Sequence, residues 1–422
     1  MFTKTTTTTD GYPVTSDDNN KNIEGLSGVI VQTTEALLRL RGETAAASLA
    51  TQLVRRFESL DEQGVTTYLN YLLTDLGPDA DALNTAIESY RTDPSQDAIA
   101  DLADATESSR LRLFRTVNTA EGGISCLLAM RGALVDRRKT MPELRPVERD
   151  LRHLLSSWFN RGFLELRQLD WQTPAHVLEK LIEYEAVHEI QGWDDLRRRL
   201  APDRRSFGFF HPSLPDEPII FVEVALTEGM ASSIQTLLTT EPEAVSPDID
   251  TAIFYSITNC QRGLAGISFG SFLIKQVTKR LQTELDQLIT FATLSPVPGF
   301  AAWLSEHEPS TNTSDQTELE AACARYLLCA RRGPLPLDAV ARFHLRNGAR
   351  LERLNWQGDT SDKGMAESHG MLVNYRYSGQ DLEANHDALV LDGVVVAHPL
   401  VIGAAGDTVD PACVAEVPAG QI

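Results

Sequence analysis

Residues Thr251 to Phe300 read TAIFYSITNCQRGLAGISFGSFLIKQVTKRLQTELDQLITFATLSPVPGF, and the spacing of their apolar side chains changes character along the way. Ile253, Phe254, Tyr255 and Ile257 make an apolar, β-rich run, followed by glycines at 263, 266 and 270. Leu273, Val277, Leu281 and Leu285 then recur every four residues, with Lys275, Lys279 and Gln282 on other faces. That spacing predicts an amphipathic helix of about four turns. A second apolar run, Leu288, Ile289, Phe291 and Leu294, stops at Ser295-Pro296-Val297-Pro298-Gly299. The order strand, glycine loop, helix, strand, stiff turn places this stretch in a domain of mixed strands and helices.

A glycine-rich turn that opens a helix aims unpaired backbone N–H groups and the positive end of the helix dipole at one spot, which suits a phosphate. The competing reading is a tight strand-to-helix connection whose glycines serve packing. The spacing Gly263, Gly266, Gly270 fits neither GxxxxGK[ST] nor the GxGxxG dinucleotide fingerprint.

With 422 residues the chain exceeds what one core usually serves, so two domains are expected. A net charge of −21 argues against nucleic acid or an anionic membrane as the main partner. Cys126, Cys260, Cys323, Cys329 and Cys413 are scattered without a CxxC, which reads as reduced thiols in the cytoplasm and not as a disulfide framework or zinc site. No apolar run is long enough to span a bilayer. The segment MFTKTTTTTDGYPVTSDDNNKN has neither the apolar core of a secretory signal nor the arginines of a transit peptide, and residues 1–22 are expected to be a disordered tail.

From 23 to 158 apolar residues recur at threes and fours, with breaks expected at Gly64, Gly77-Pro78, Pro94, Gly122-Gly123 and Pro142. This predicts an all-helical bundle serving assembly, through which a homo-oligomer, dimer or tetramer, would form. After Trp158 strand-like runs appear (SFGFFH, EPIIFVEVALT), so 159–404 is expected to be an α/β domain in an α+β chain, with 405–422 a C-terminal tail. Arg197 to Arg199 with Arg204-Arg205 is the densest positive cluster; such a run is usually a solvated face, and it could also steer an anion. The stretch 301–320 reads as a polar insertion.

Six separated blocks, RRSFGFFHPSLPDEPIIFVEVALT, TAIFYSI, GLAGISFGSFLIKQV, TLSPVPGF, FHLRNGARL and LVNYRY, together resemble the malonyl-CoA decarboxylase family between about Trp158 and Tyr377. The resemblance implies a helical, oligomer-forming N-terminal domain and a catalytic domain of the Gcn5-related acetyltransferase fold. It implies decarboxylation of malonyl-CoA to acetyl-CoA and CO2 without metal or organic cofactor, CoA being part of the substrate. It also implies that Ser295 is the proton acceptor and His344 the proton donor. The acetyltransferase pyrophosphate loop, Gln/Arg-x-x-Gly-x-Gly/Ala, would align with Gly263, Gly266 and Ser268, without the leading Gln or Arg at its place; Gln261 and Arg262 lie just ahead. The expected substrate and CoA segment is Ala265, Gly266, Ile267, Ser268, Phe269, Gly270 and Ser271, with Asn374 and Tyr377 near the thioester and Arg262 or Lys275 as cations for the phosphates.

The chemistry fits these residue types. Losing CO2 from a malonyl thioester leaves an electron pair that the thioester carbonyl takes up as an enolate, so the substrate is its own electron sink. The protein must supply donors for the developing charge and an acid for C2. An unperturbed imidazole titrates near pH 6.5, which would let His344 exchange a proton close to working pH. Taken by its neighbours alone, between Phe343 and Leu345, it reads as a structural histidine, and only the resemblance turns that reading to catalysis. Ser295, held extended by Pro296, is not the usual serine nucleophile, since there is no GxSxG elbow. Two other functions suit the same segment: a CoA-dependent acyltransferase of the same fold, or an inactive CoA-thioester-binding module.

Overall fold

A computed structural model describes residues 16–40, 42–240, 246–267, 269, 272–406 and 409–417. The chain divides into two compact units, Met1–Phe159 with Gln261–Ile267, and Asn160–Cys260 with Ser268–Ile422.

The first unit is helical: α1 (Ser16–Arg39), α2 (Glu43–Glu58), α3 (Glu62–Thr74), α4 (Ala80–Thr92), α5 (Gln96–Ala105), α6 (Ser109–Asn118), α7 (Gly123–Asp136) and α8 (Arg145–Trp158). Its core holds an apolar cluster that includes Leu53, Phe57, Tyr68, Phe114, Leu127 and Leu151. Side-chain caps set the helix starts, Asp61 for α3, Asp79 for α4 and Ser95 for α5, each accepting from an otherwise orphaned N–H. The break expected at Gly64 therefore falls earlier, at 59–61, and Gly64 supplies the N–H that Asp61 accepts at 2.8 Å. Helix α1 begins at Ser16, so the expected tail 1–22 gives way to helix before its end, and residues 1–15 lie outside the described residues. Among the described residues of α1 the buried positions include Ile30 and Leu37, seven residues apart on one helical face.

The second unit runs β1 (Glu165–Leu169), α9 (Ala175–Tyr184), α10 (Trp193–Arg199), β2 (Arg204–Phe210), β3 (Ile220–Thr227), α11 (Ile234–Thr239), β4 (Thr251–Asn259), α12 (Phe272–Glu284), β5 (Thr290–Thr293) and β6 (Ser295–Pro296). It continues with α13 (Phe300–His307), α14 (Gln316–Cys329), β7 (Arg331–Arg332), β8 (Leu335–Pro336), α15 (Ala339–Arg346), β9 (Arg350–Asn355) and α16 (Asp362–Ser368). The last elements are β10 (Leu372–Arg376), α17 (Leu382–Asp392), β11 (Val395–Ala397), α18 (Pro399–Ala405) and β12 (Val414–Glu416). The sheet order is β1-β2-β3-β4-β5-β10-β9-β11-β12, with β6 also pairing β10. Two expectations change here. The supposed insertion 301–320 contains most of α13 and the first turn of α14, and the supposed tail 405–422 adds β12 in parallel to β11, Val395 opposite Val414. Short apolar runs such as Val414 to Val417 become strands only when a partner edge satisfies their backbone, which no local pattern announces.

One feature of the sheet positions the site. Strand β4 has nine residues, but only Thr251 to Phe254 pair with β5, in parallel, opposite Thr290 to Thr293. Leu294 N–H still donates to Phe254 O at 3.0 Å, and then β6 turns away to pair with β10, Ser295 opposite Val373. Among the described residues no strand flanks the rest of β4 on that side, so the sheet opens into a notch beside Ser295. Such a gap beyond the carboxyl ends of parallel strands is where sheets of this kind take ligands.

Candidate functional site

Side chains alternate along β5 and into β6. Ala292 and Leu294 join the apolar cluster with Ile253, Tyr255 and Leu372, so Thr293 and Ser295 face the opposite side of the sheet. There Ser295 Oγ donates to Thr293 Oγ1 at 2.8 Å and lies 3.1 Å from His344 Nε2. The other ring nitrogen, Nδ1, is 2.8 Å from Tyr377 Oη. The imidazole stacks on the Tyr375 ring, centroids 4.7 Å apart and planes 22° apart.

Each member of this row is fixed by its own element. Asp338 caps α15 by accepting from the N–H groups of Val340 (2.9 Å) and Ala341 (2.8 Å), and the helix ends at Asn347. The turn expected at Asn347-Gly348 is there: Gly348 has φ +84°, and a Cβ on it would sit 2.1 Å from Leu382 O. With both ends pinned, His344 in the last turn has little freedom. Tyr377 is tied by its N–H to Phe291 O at 2.8 Å, and Thr293 Oγ1 also accepts from Tyr375 N–H at 3.1 Å.

Ser295, His344 and Tyr377 are all buried, at 5%, 4% and 6% exposure. Burial, which penalises the charged imidazolium, pushes the His344 pKa down to about 3, and pushes the Tyr377 phenol well above its ordinary value. The expectation that His344 titrates near working pH is thus corrected: no carboxylate offsets its desolvation, so the ring is neutral at pH 7. His188, also buried, is pushed down to about 4. Both histidines titrate near 6.5 once unfolded, so below that pH the unfolded chain binds protons that the native one refuses. Stability is therefore expected to fall on acidification from pH 6.5 towards 4, by up to about 1.4 kcal/mol per pH unit for each histidine. Denaturant unfolding at pH 6.5, 5.5 and 5.0 should show a shallower dependence in His344→Gln than in the parent, and equal slopes would contradict this account.

The remaining expected residues separate. Asn374 is fully buried on the other face, donating to Thr293 O (2.7 Å) and Ala231 O (3.1 Å) and accepting from Arg353 Nε (3.0 Å) and Asn355 Nδ2 (2.9 Å). Its amide is engaged by protein groups, which makes it a brace between strands. Ala265, Gly266 and Ile267 fold with the helical unit. There Arg131 Nη2 donates to Ala265 O (2.8 Å) and Arg152 Nη2 to Gly266 O (3.3 Å). The N–H groups of Ala265 and Ile267 are spent within the turn, on Arg262 O and Leu264 O, and so do not face a phosphate as expected. Arg262 is paired with Asp136, and a Cβ on Gly263 would lie 2.3 Å from Leu128 O, so packing accounts for that glycine. Phe269 is buried, Lys275 is exposed in the first turn of α12, and Ser268, Gly270 and Ser271 lie outside the described residues.

Thr293 and Tyr375 were missed by the sequence reading. The signal for Thr293 was available, since it precedes Ser295 by two residues on a strand; nothing local marks Tyr375 as the platform under a distant histidine.

Comparison with known proteins bears on this arrangement. The family described as malonyl-CoA decarboxylase C-terminal domain matches residues 162–318 and 306–405, and the corresponding N-terminal domain matches residues 76–159. Malonyl-CoA decarboxylase from Rhodopseudomonas palustris has a solved structure 47% identical to this chain, with a TM-score of 0.83, covering 89% of this chain and 98% of its own. The structure from Agrobacterium vitis is 45% identical, with a TM-score of 0.84, over 89% and 99%. The mitochondrial malonyl-CoA decarboxylase of Anser anser anser is 38% identical over 328 residues, 65% of each chain, so this match spans somewhat less than two thirds of that relative.

Proposed function

The chain belongs to the malonyl-CoA decarboxylase family, and we propose on that basis that it converts malonyl-CoA to acetyl-CoA and CO2 at the notch beside Ser295. The observation that carries the reading is the contact of Ser295 Oγ with His344 Nε2 at 3.1 Å, made by residues 49 positions apart. As the bond from C2 to the carboxylate breaks, its electron pair moves through C2 onto the thioester oxygen and CO2 departs. Ser295 then gives its hydroxyl proton to C2 and is resupplied from His344 Nε2–H as Nδ1 takes the Tyr377 hydroxyl proton, and Tyr377 recovers from solvent the one proton consumed overall. A neutral imidazole suits this role because it donates through one N–H, and near-complete burial strengthens each hydrogen bond in the row. Tyr377 orients the ring from Nδ1.

We place the CoA phosphates at the N-terminal turn of α12, where the helix dipole favours anions and Lys275 adds a positive charge. No metal or organic cofactor enters this scheme, because the thioester accepts the electron pair. Assembly through the helical unit into a dimer or tetramer remains our reading, testable by light scattering of the purified chain. Five free cysteines support a reducing compartment such as the cytoplasm, and among the described residues no helix is long and apolar enough to cross a membrane.

The test is to incubate the purified protein with malonyl-CoA labelled at its free carboxyl, with chelator and without any acceptor amine. Labelled CO2 and acetyl-CoA are expected in equal amounts. Turnover that requires an amine and releases no CO2 would instead favour an acyltransferase.

A further inference from the structure

We propose that Thr293 is a positioning residue that sets the direction of the hydrogen-bond row through Ser295 and His344, and so fixes which imidazole nitrogen carries the proton. This rests on the reading of Ser295 and His344 as the reacting pair.

The argument is one of counting donors. Thr293 Oγ1 receives the N–H of Tyr375, which can only donate, and it receives the Ser295 hydroxyl at 2.8 Å. Ser295 has a single proton, and that proton lies on Thr293. Its oxygen can then meet His344 Nε2, 3.1 Å away, only as an acceptor, so Nε2 bears the hydrogen. The neutral ring has one N–H, which leaves Nδ1 as the acceptor for the Tyr377 hydroxyl at 2.8 Å. The row has one polarity: Tyr377 to His344, His344 to Ser295, Ser295 to Thr293. No carboxylate touches His344 Nδ1 in this row, unlike the arrangement in which an aspartate sets the tautomer of a catalytic histidine. Here the tautomer is set from the far end.

The consequence for catalysis is geometric. With Nε2–H already aimed at Ser295 Oγ, the serine proton can swing from Thr293 to C2 by rotation about the Cβ–Oγ bond, while the imidazole contact stays in place. Without an acceptor at 293 the serine proton can turn to Nε2 instead. The ring then carries its hydrogen on Nδ1, and His344 can no longer resupply Ser295.

The experiment is nitrogen NMR of the resting full-length protein with ring-labelled histidine, the His344 signals assigned by their loss in His344→Gln, alongside steady-state kinetics. In the parent, Nε2 is expected to be the protonated nitrogen. Thr293→Val should shift His344 toward the Nδ1–H form and lower kcat about five- to tenfold, the worth of one hydrogen bond, with KM little changed. Thr293→Ser, which keeps the hydroxyl, should restore both. A parent His344 protonated on Nδ1 overturns the inference by itself, even if the valine variant does not fold. So does a folded Thr293→Val with parental tautomer and kcat. Failure of the decarboxylase reading shows separately, as absence of CO2 release by the parent.

Discussion

His344→Ala is expected to lower the rate of CO2 release from malonyl-CoA by about 10²- to 10⁴-fold, the range that a placed proton donor contributes. Ser295→Ala is expected to fall as far, and the double variant little further, because in the proposed relay the two residues act as a unit and such losses are not additive. With the CoA phosphates placed at α12, as proposed, the change should appear in kcat with KM within a few-fold. The pH dependence makes the prediction sharper. Burial pushes the His344 pKa down to about 3, so kcat/KM of the parent should show no acid limb near 6.5 from this residue. A clear limb at 6.5 that disappears in His344→Gln would mean that the ring is charged in the free enzyme, and the neutral relay would be wrong. Double-variant activity equal to the parent's would remove Ser295 and His344 from the mechanism altogether.

Gly263→Ala is expected to destabilise the helical unit by about 1–3 kcal/mol or more, as overpacking against a rigid neighbour does. The neighbour here is backbone: the new methyl would meet Leu128 O at 2.3 Å and Leu128 Cα at 2.7 Å, and neither can rotate away. The loop is also held by the buried Arg131, which donates to Gly263 O and Ala265 O and pairs with Glu148 at 2.8 Å. Gly266→Ala, by contrast, meets no atom within 4 Å and carries only the cost of its φ of +74°. Thermal unfolding of the two variants separates the roles of the glycines. A Gly263→Ala protein with parental stability and a raised KM for malonyl-CoA would restore the phosphate-loop reading of that residue.

Much of the architecture could be read from the period of the apolar residues. Leu273, Val277, Leu281 and Leu285 announced α12, and Ile253, Phe254 and Tyr255 announced β4, because burial of one helical face or of a sheet interior leaves a local record in the chain. The candidate dyad was legible only through recurring blocks of sequence, since 49 residues separate Ser295 from His344 and no spacing rule joins them.

By itself the sequence determined the two-part organisation, the strand-loop-helix-strand core and the pair of residues worth testing. The first two rest on local hydrophobic pattern, which any reader of the chain possesses; the pair rests on the resemblance of its sequence blocks to the malonyl-CoA decarboxylase family. Tertiary structure alone decided that His344 is neutral, that Asn374 is a brace, that Gly263 serves packing and that Thr293 completes the row. Each of those depends on which groups from distant parts of the chain exclude water from one another, and desolvation is a property of the folded surroundings, not of the residue.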